Sequence, residues 1–152
     1  MNTFAILGAK YLILLSPLVL SWYLYRSGRE IQNKVFLLGA FSLPLSYLGG
    51  LLARALYFDP RPFVEGQFEP LIKHVADNGF PSDHTLLLAA IASVITFYDK
   101  RYATILWVIT LVVGLSRVYA GVHHLLDIAG AILIALVSTS LVYFVLMRIK
   151  KL

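Results

Sequence analysis

The chain contains no cysteine and little charge: Asp and Glu together account for 8 of its 152 residues, and charged residues for 14%. Without cysteine there are no disulfides, no thiolate nucleophiles and no cysteine-bound metals. Any covalent chemistry must therefore use Ser, His or a carboxylate. Because the hydrophobic fraction is 59%, the composition also excludes an ordinary soluble domain of this size.

Long apolar runs fill most of the chain, and each is long enough, or nearly so, to cross about 30 Å of hydrocarbon at about 1.5 Å per residue. The first run has no basic leader and no small-residue cleavage site, so we interpret it as a retained span and not as a signal peptide. No repeat or linker divides residues 1–152, which we expect to form a single membrane-embedded domain. The prediction is an all-α, polytopic helical bundle with about five transmembrane helices, at residues 4–25, 35–57, 84–98, 102–119 and 126–147.

Basic residues alternate along these five spans so that most of them fall on one side. By the positive-inside rule that side is the cytoplasm, and the predicted topology is N-out/C-in. This distribution accounts for the net charge of +5, so we expect no nucleic-acid partner. The predicted cytoplasmic residues are Arg26, Arg29, Lys34, Lys100, Arg101, Arg148, Lys150 and Lys151, whereas Lys10 and Lys73 fall on the other side.

Three polar blocks stand at the span ends that face the predicted outer side. They are RALYFDPRP with Arg54 and Arg61, PSDH at 81–84, and SRVYAGVHHLLD with Arg117, His123 and Asp127. Ionisable residues inside a membrane are costly, so bulk packing does not explain them and a site is implied. Three guanidinium groups from separate segments can bind a phosphate through bidentate hydrogen bonds. A phosphate group on a lipid is the ligand that suits these residues.

Local sequence predicts how these blocks are built. Arg61 lies between two prolines, which hold it on a stiff, irregular turn. Ser82 is expected to be the N-cap of a helix whose free N–H groups favour an anion. His123 and Asp127 are four residues apart, so on a helix they share a face, and the carboxylate can orient the imidazole and raise its basicity. His124 lacks this spacing and is given a secondary role at most.

The long connection at 58–81 contains Leu71, Ile72 and Val75 at helical spacing, opposite Lys73 and Asp77. This pattern predicts a short helix lying in the membrane interface. A loop that is merely anchored by its apolar residues is an equal alternative.

In order and spacing, the three blocks resemble the signature of the type 2 phosphatidic acid phosphatase superfamily, over roughly residues 35–147. The resemblance implies a metal-independent lipid phosphatase that needs no cofactor. It implies His123 as a nucleophile that forms a phosphohistidine, Asp127 as its orienting group and His84 as the acid. The phosphate-binding residues that it implies are Arg54, Arg61, Ser82 and Arg117, to which we add Asp83 beside the leaving group.

The chain departs from the family pattern in three ways. Arg54 stands where Lys is more common, and Asp83 replaces the commoner Gly. Asp83 and the run YFDPRPFV resemble the bacterial undecaprenyl-diphosphate phosphatase branch. Five spans are counted where the family usually has six, so the resemblance implies that one N-terminal span is lacking. We therefore expect a bacterial cytoplasmic-membrane enzyme whose site faces the outside or periplasm, with an isoprenoid diphosphate in the outer leaflet as substrate.

Other functions remain open at this stage. A phosphatase acting on phosphatidylglycerophosphate or phosphatidate is the alternative within enzymes. A noncatalytic lipid-phosphate binder or anion transporter is the alternative from another class, although binding alone would not require both histidines and Asp127. A haloperoxidase does not suit a chain embedded in lipid. Homo-oligomerisation is possible, and the sequence leaves it open.

Overall fold

The computed structural model describes residues 2–150, and in this part of the chain every regular element is helical. A short 3₁₀ helix, Leu12–Leu14, precedes α2, and the one β-bridge, between Pro60 and Asn78, is isolated. The predicted all-α class is confirmed. The helices are α1 Asn2–Lys10, α2 Leu15–Arg26, α3 Arg29–Leu56, α4 Pro62–Glu65, α5 Asp83–Thr96, α6 Lys100–Tyr119 and α7 Leu125–Arg148.

Three of these helices are long and apolar enough to cross a membrane, namely α3, α6 and α7. The segment Leu12–Arg26 and α5 are also apolar but shorter. The chain is therefore a multi-pass membrane protein, while the count of five spans remains a prediction. The third predicted span, 84–98, corresponds to α5, which begins at Asp83 within the polar block at 81–84 and has 14 residues.

The first predicted span, 4–25, is not one continuous helix. The α-helical hydrogen bonding stops at Lys10 and resumes at Leu15, after the 3₁₀ turn. Pro17 explains the break: it has no N–H to donate to the carbonyl of Ile13, and its ring would clash with that carbonyl. Proline is tolerated in the first turn of a helix, which is where α2 places it. The hydropathy of residues 4–25 did not predict this interruption, because the run is apolar on both sides of it.

Helix α5 lies at the centre of the bundle and packs against α3, α6 and α7. Small residues of α5 and α7 allow this close approach, since Ala89, Ala131 and Ala135 are all completely buried. A short helix enclosed in this way places its N-terminus in the middle of one end of the bundle. The block at 81–84 is thereby surrounded by the other two polar blocks.

At the opposite end of the bundle lie the helix ends that carry the predicted cytoplasmic Lys and Arg residues. The Tyr98 hydroxyl donates to the Lys34 carbonyl at 3.2 Å, and Tyr23 packs on Tyr102 with ring centroids 4.9 Å apart. The three basic groups therefore share one end, as the alternating pattern predicted, although Lys151 lies outside the described residues. Which side of the membrane this end faces remains a prediction.

The loop between α3 and α5 does contain a short helix, but not where the apolar spacing placed it. That helix is α4, Pro62–Glu65, whereas residues 71–75 have no helical hydrogen bonds. Instead the Leu71 N–H donates to the Ala120 carbonyl at 3.0 Å, and Ile72 is buried against Ala120 and Val122. A backbone contact with a neighbouring element thus replaces the predicted helix at 71–75.

The predicted orientation can be tested because the chain has no cysteine of its own. We expect a membrane-impermeant maleimide to label Val75→Cys in intact cells, because Val75 is exposed at the end of the bundle that carries the three polar blocks, here called the site end. Lys100→Cys, at the opposite end, is expected to react only after permeabilisation. The cysteine-free parent chain is the control for background labelling, and the reverse pattern would contradict the predicted topology.

Candidate active site

The turn between α6 and α7 places His123 at the centre of the site end. Helix α6 ends at Tyr119, and Gly121 follows with a φ of +76°, a left-handed conformation that glycine adopts without steric cost. The Val122 N–H donates to the Arg117 carbonyl at 3.2 Å, which closes the turn. Val122 and His123 then run inward, where both are almost completely buried.

His123 is held by Asp127 as the four-residue spacing predicted, although not on a shared helix. His124 is the N-cap of α7, so His123 precedes the helix and Asp127 is in its first turn. The Asp127 Oδ2 atom lies 3.0 Å from His123 Nδ1 and also accepts the His124 N–H at 2.8 Å. Because one carboxylate oxygen binds both groups, the imidazole has a defined position.

Two buried guanidinium groups approach the other side of the His123 ring. Nη1 of Arg61 and Nη2 of Arg117 each lie 3.4 Å from His123 Nε2. The two arginines are only 4% and 3% exposed. Guanidinium groups can only donate, so these contacts require an unprotonated Nε2, and the tautomer that also satisfies Asp127 carries its proton on Nδ1. The unprotonated nitrogen of His123 therefore faces the two cations.

Burial lowers the pKa of His123, and the positive charges of Arg117 and Arg61 lower it further, whereas the hydrogen bond that His123 donates to Asp127 opposes this shift. Protonation would add a third cation to a pocket that already holds two. The imidazole is therefore neutral at neutral pH, which is the state that a nucleophile or a base requires.

The two guanidinium groups are anchored mainly by uncharged acceptors. Arg61 donates through Nη1 to the Val122 carbonyl at 2.8 Å, and through Nε to Asp77 at 2.7 Å. Arg117 donates to the Ala9 carbonyl at 3.3 Å, and its buried Nε has no hydrogen-bond partner among the described residues. Partly unsatisfied, desolvated cations favour binding of an anion.

The N-terminus of α5 lies beside this pocket. Ser82 is the N-cap of α5, as predicted, and it is completely buried. Its hydroxyl does not bond the helix backbone but is bonded by the Thr85 hydroxyl at 3.2 Å. The Ser82 N–H donates to the Asp127 carbonyl at 3.3 Å, which joins α5 to α7. His84 follows as the second residue of α5 and is half-buried.

Arg54 and Asp83 form a separate pair at the rim. Arg54 Nη2 lies 2.6 Å from Asp83 Oδ1 and 3.4 Å from the Pro81 carbonyl oxygen. Among the described residues, the Arg54 guanidinium shares no hydrogen-bond acceptor with those of Arg61 and Arg117. Asp83 therefore contacts a cation that was assigned to phosphate, and a phosphate group would have to share or replace this contact.

His124 faces away from the two buried arginines. Its Nδ1 lies 3.2 Å from Asp59 Oδ2, and its Nε2 lies 3.5 Å from Glu65 Oε2. Burial, followed by the hydrogen bond and charge of Asp127, raises the pKa of Asp59, while the contact with His124 opposes this. Asp59, His124 and Asp127 each offer a ligand atom within 4.8 Å of the others, so this group could hold a metal ion. This group of three was not predicted from the sequence.

A family model described as PAP2 superfamily matches residues 34–151. The chain belongs to this superfamily. Among its relatives, undecaprenyl-diphosphatase BcrC of Bacillus subtilis (strain 168) is 36% identical over 99 residues, covering 65% of this chain and 49% of that protein. The chain therefore spans about half the length of this relative.

Two further matches extend over almost the whole chain. Putative undecaprenyl-diphosphatase YbjG of Escherichia coli (strain K12) is 33% identical over 139 residues, covering 91% of this chain and 70% of that protein. The crystal structure of Aquifex aeolicus LpxE superposes with a TM-score of 0.71 over 93% of this chain and 82% of that chain. Its sequence identity of 24% supports a shared fold only.

Sequence reasoning missed two positions that shape the site of this PAP2 chain. The Asn78 side chain accepts the N–H groups of Asp59 and Phe80, both at 3.0 Å, and donates to the Arg54 and Tyr57 carbonyls. The dipeptide Asn-Gly at 78–79 is a turn signal that could have identified it. The other position, His74, contacts Arg117 and carries no sequence motif.

Gly79 tests how strictly Asp127 is positioned. A Cβ atom at this glycine would lie 3.0 Å from Asp127 Oδ2 and 3.2 Å from the Asp59 carbonyl oxygen. We expect Gly79→Ala to displace the carboxylate that holds His123 and to lower phosphate release from lipid phosphates about 10-fold or more. The measurement is the initial rate of the purified protein in detergent.

Gly28→Ala is the matched control. A Cβ atom at Gly28 meets nothing within 4 Å, and the residue lies at the opposite end of the bundle. Its rate should equal that of the parent chain. A parental rate for Gly79→Ala would show that the site tolerates movement of Asp127.

Proposed function

We propose that this chain is a membrane lipid phosphatase that transfers a phosphoryl group from an isoprenoid diphosphate to His123 and then to water. One observation carries the proposal: a buried imidazole holds a carboxylate on Nδ1 and faces two guanidinium groups with Nε2. A binding protein would need the two cations only. The carboxylate on the far side of the ring is what a nucleophilic histidine requires.

The chemistry follows from this arrangement. His123 Nε2 attacks the terminal phosphorus, a P–N bond forms, and the P–O bond to the lipid phosphate breaks. Asp127 stabilises the positive charge that develops on the ring, and a protonated His84 gives its proton to the departing oxygen. Water then attacks the phosphohistidine with His84 as base, the P–N bond breaks, and inorganic phosphate is released.

Guanidinium groups supply the electrostatic stabilisation. Arg61 and Arg117 adjoin the attacking nitrogen, and we assign them to the oxygens of the transferred phosphoryl group. Arg54 and Ser82 complete the assigned set, and Asp83 positions Arg54 through their 2.6 Å contact. Positive charges held in a water-poor pocket can replace the metal ion that phosphoryl transfer uses elsewhere.

A groove between α3 and α5 supports a lipid as the substrate. It has a volume of about 300 Å³, and at the site end Arg54 and Asp83 line it. Away from that end its walls are mostly apolar, formed by Leu43, Ser46, Tyr47, Leu86, Leu87 and Ala90. We assign this groove to the lipid chain that adjoins the phosphate. The charged rim and apolar walls match the two parts of such a molecule.

The choice of an isoprenoid diphosphate rests on the relatives and on Asp83. BcrC and YbjG are both named as undecaprenyl-diphosphatases, and each is at least 33% identical to this chain. The proposed location is the cytoplasmic membrane, with the site end facing outward. A glycerophospholipid phosphate remains the competing substrate, because the two buried arginines would bind any terminal phosphate.

Replacement of His123 tests the mechanism. His123→Ala is expected to lower turnover by about 1,000-fold or more, because the attacking nitrogen is removed. His124→Ala should keep most of the activity, since its ring contacts Asp59 and Glu65 and not the buried arginines. Acid-labile, alkali-stable labelling by a ³²P-labelled substrate should disappear in His123→Ala only. Loss of labelling in His124→Ala instead would move the nucleophile by one residue.

The rate should also follow the protonation of His123. The pKa of His123 is lowered, so the ring loses its nucleophilic form only as pH falls below the ordinary histidine value of about 6.5. The alkaline limb reports loss of the proton that the acid must donate. We therefore expect a bell-shaped profile whose limbs belong to the coupled site. A profile without an acid limb would contradict a histidine nucleophile.

A substrate panel tests the assignment to an isoprenoid diphosphate. We expect kcat/KM for undecaprenyl diphosphate to exceed that for phosphatidate or phosphatidylglycerophosphate by at least about 10-fold, or about 1.4 kcal/mol. Equal or reversed preference would favour the glycerophospholipid alternative. Binding of these lipids without phosphate release would favour a noncatalytic protein.

The same assay with a chelator tests the predicted independence from metal. Rates should be unchanged, because the proposed steps use only side chains. Activity that is lost in chelator and restored by a divalent ion would assign a metal to the group formed by Asp59, His124 and Asp127.

A further inference from the structure

His74 is fixed over the active site by the segment that precedes it. The Leu71 N–H donates to the Ala120 carbonyl at 3.0 Å, and Ile72 is 5% exposed in a cluster with Ala9, Ala120 and Val122. These contacts anchor the loop to the end of α6. Two residues later, the half-buried imidazole of His74 therefore has a defined place above the pocket.

This imidazole shares a guanidinium nitrogen with the proposed nucleophile. Arg117 Nη2 lies 3.2 Å from His74 Nε2 and 3.4 Å from His123 Nε2. The two rings are 6.1 Å apart between centroids, at an interplanar angle of 76°. An oxyanion bound between Arg117 and His123 is thereby brought within reach of His74.

The charge around His74 makes it an acceptor while the pocket is empty. Burial lowers its pKa, and the positive charges of Arg61 and Arg117 lower it further. The nearby Asp77 does not offset this, because its carboxylate contacts Arg61 at 2.7 Å. A neutral His74 with an unprotonated Nε2 can accept the hydrogen bond from Arg117.

We propose that His74 is a further phosphate-contacting residue, whose Nε2 donates to an oxygen of the bound anion. The inference rests on the proposed function for the identity of the substrate, but it requires only that an oxyanion enters the pocket. A dianion between Arg61 and Arg117 offsets the charges that keep His74 neutral. The ring then takes one proton from solution, and its hydrogen bond changes from accepting to donating.

Because His74 takes up a proton when the anion binds, the affinity for the anion depends on pH in a defined direction. Binding raises the pKa of His74 above its value in the empty site, so by linkage affinity increases as pH falls between those two values. The other ionisable groups that face His74 are Arg61 and Asp77 from the same loop, Arg117 from α6, His84 from α5 and His123. Since several of these also titrate, the test compares variants at the same pH values.

Tungstate is a suitable probe because it has the shape of phosphate and remains a dianion at neutral and mildly acidic pH. We expect His74→Ala to weaken tungstate binding by about 10-fold to 100-fold below neutral pH, as for loss of one charged hydrogen bond. Calorimetry in buffers of different ionisation enthalpy should show that binding takes up protons in the parent chain. His74→Gln should take up fewer, because its amide does not titrate.

Val75→Ala is the matched control, since Val75 is adjacent to His74 and is 70% exposed. It should bind tungstate and take up protons as the parent chain does. If His74→Ala does not fold, His74→Gln gives the result alone, because its amide oxygen can still accept from Arg117. The proposal is overturned if His74→Gln retains the parental proton uptake, or if a folded His74→Ala retains the parental affinity.

Lipid turnover separates this inference from the proposed function. A parent chain that takes up protons through His74 on binding tungstate, but releases no phosphate from any lipid, would refute the proposed function alone. Parental rates and parental tungstate binding in His74→Ala would refute the role of His74 alone. With both proposals correct, His74→Ala lowers kcat/KM for the lipid diphosphate about as much as it weakens tungstate binding.

Discussion

Two guanidinium groups buried against one imidazole are the constraint on which the rest of the site depends. Arg61 and Arg117 are almost fully removed from water, yet only one carboxylate, Asp77, contacts either of them among the described residues. Desolvation of an ion costs several kcal/mol, and the fold offsets it with backbone carbonyls of Val122, Ala9 and Asn78. An incoming dianion would supply the remaining compensation, which is the physical basis of the phosphate binding proposed for this pocket.

This requirement explains why so much irregular backbone lies at one end of a helical membrane protein. Non-helical segments are tolerated near a membrane only where they are enclosed by protein or line a polar cavity. Here the turn after α6 provides the Val122 carbonyl, and the loop before α5 provides Asn78 and Asp77. Helices α3, α5, α6 and α7 are continuous along the apolar body of the bundle, and the backbone is irregular where carbonyl groups point at the buried cations.

Of the four histidines at this end of the bundle, His74, His123 and His124 differ in their partners and therefore in their chemistry. His123 lies between a carboxylate and two cations, which keeps it neutral and oriented. His124 contacts Asp59 and Glu65, and His74 contacts Arg117 with no carboxylate of its own among the described residues. The same side chain thus serves as the proposed nucleophile, as a partner for acids, or as the proposed anion-linked donor. Its neighbours decide which.

The sequence alone was sufficient for the class of protein and for the three polar blocks that the fold brings together at one end of the bundle. Hydropathy identified the apolar helices, because lipid requires long apolar segments, and the costly Arg, His and Asp residues predicted a site at one set of helix ends. The four-residue spacing also predicted the pair His123–Asp127, since a turn leading into a helix leaves these side chains as close as a helix would. These features depend on residues close together in the chain.

Tertiary structure decided everything that depends on contacts between distant segments. Residues 71–75 have helical spacing but no helix, and the loop is held instead by contacts with the end of α6, such as the bond from the Leu71 N–H to the Ala120 carbonyl, 49 residues away in sequence. Arg54 pairs with Asp83 across a gap of 29 residues, and His74 reaches Arg117 across 43. Local periodicity contains no information on such partners. It predicts which residues can form a helix or a site, while packing determines which hydrogen bonds are made.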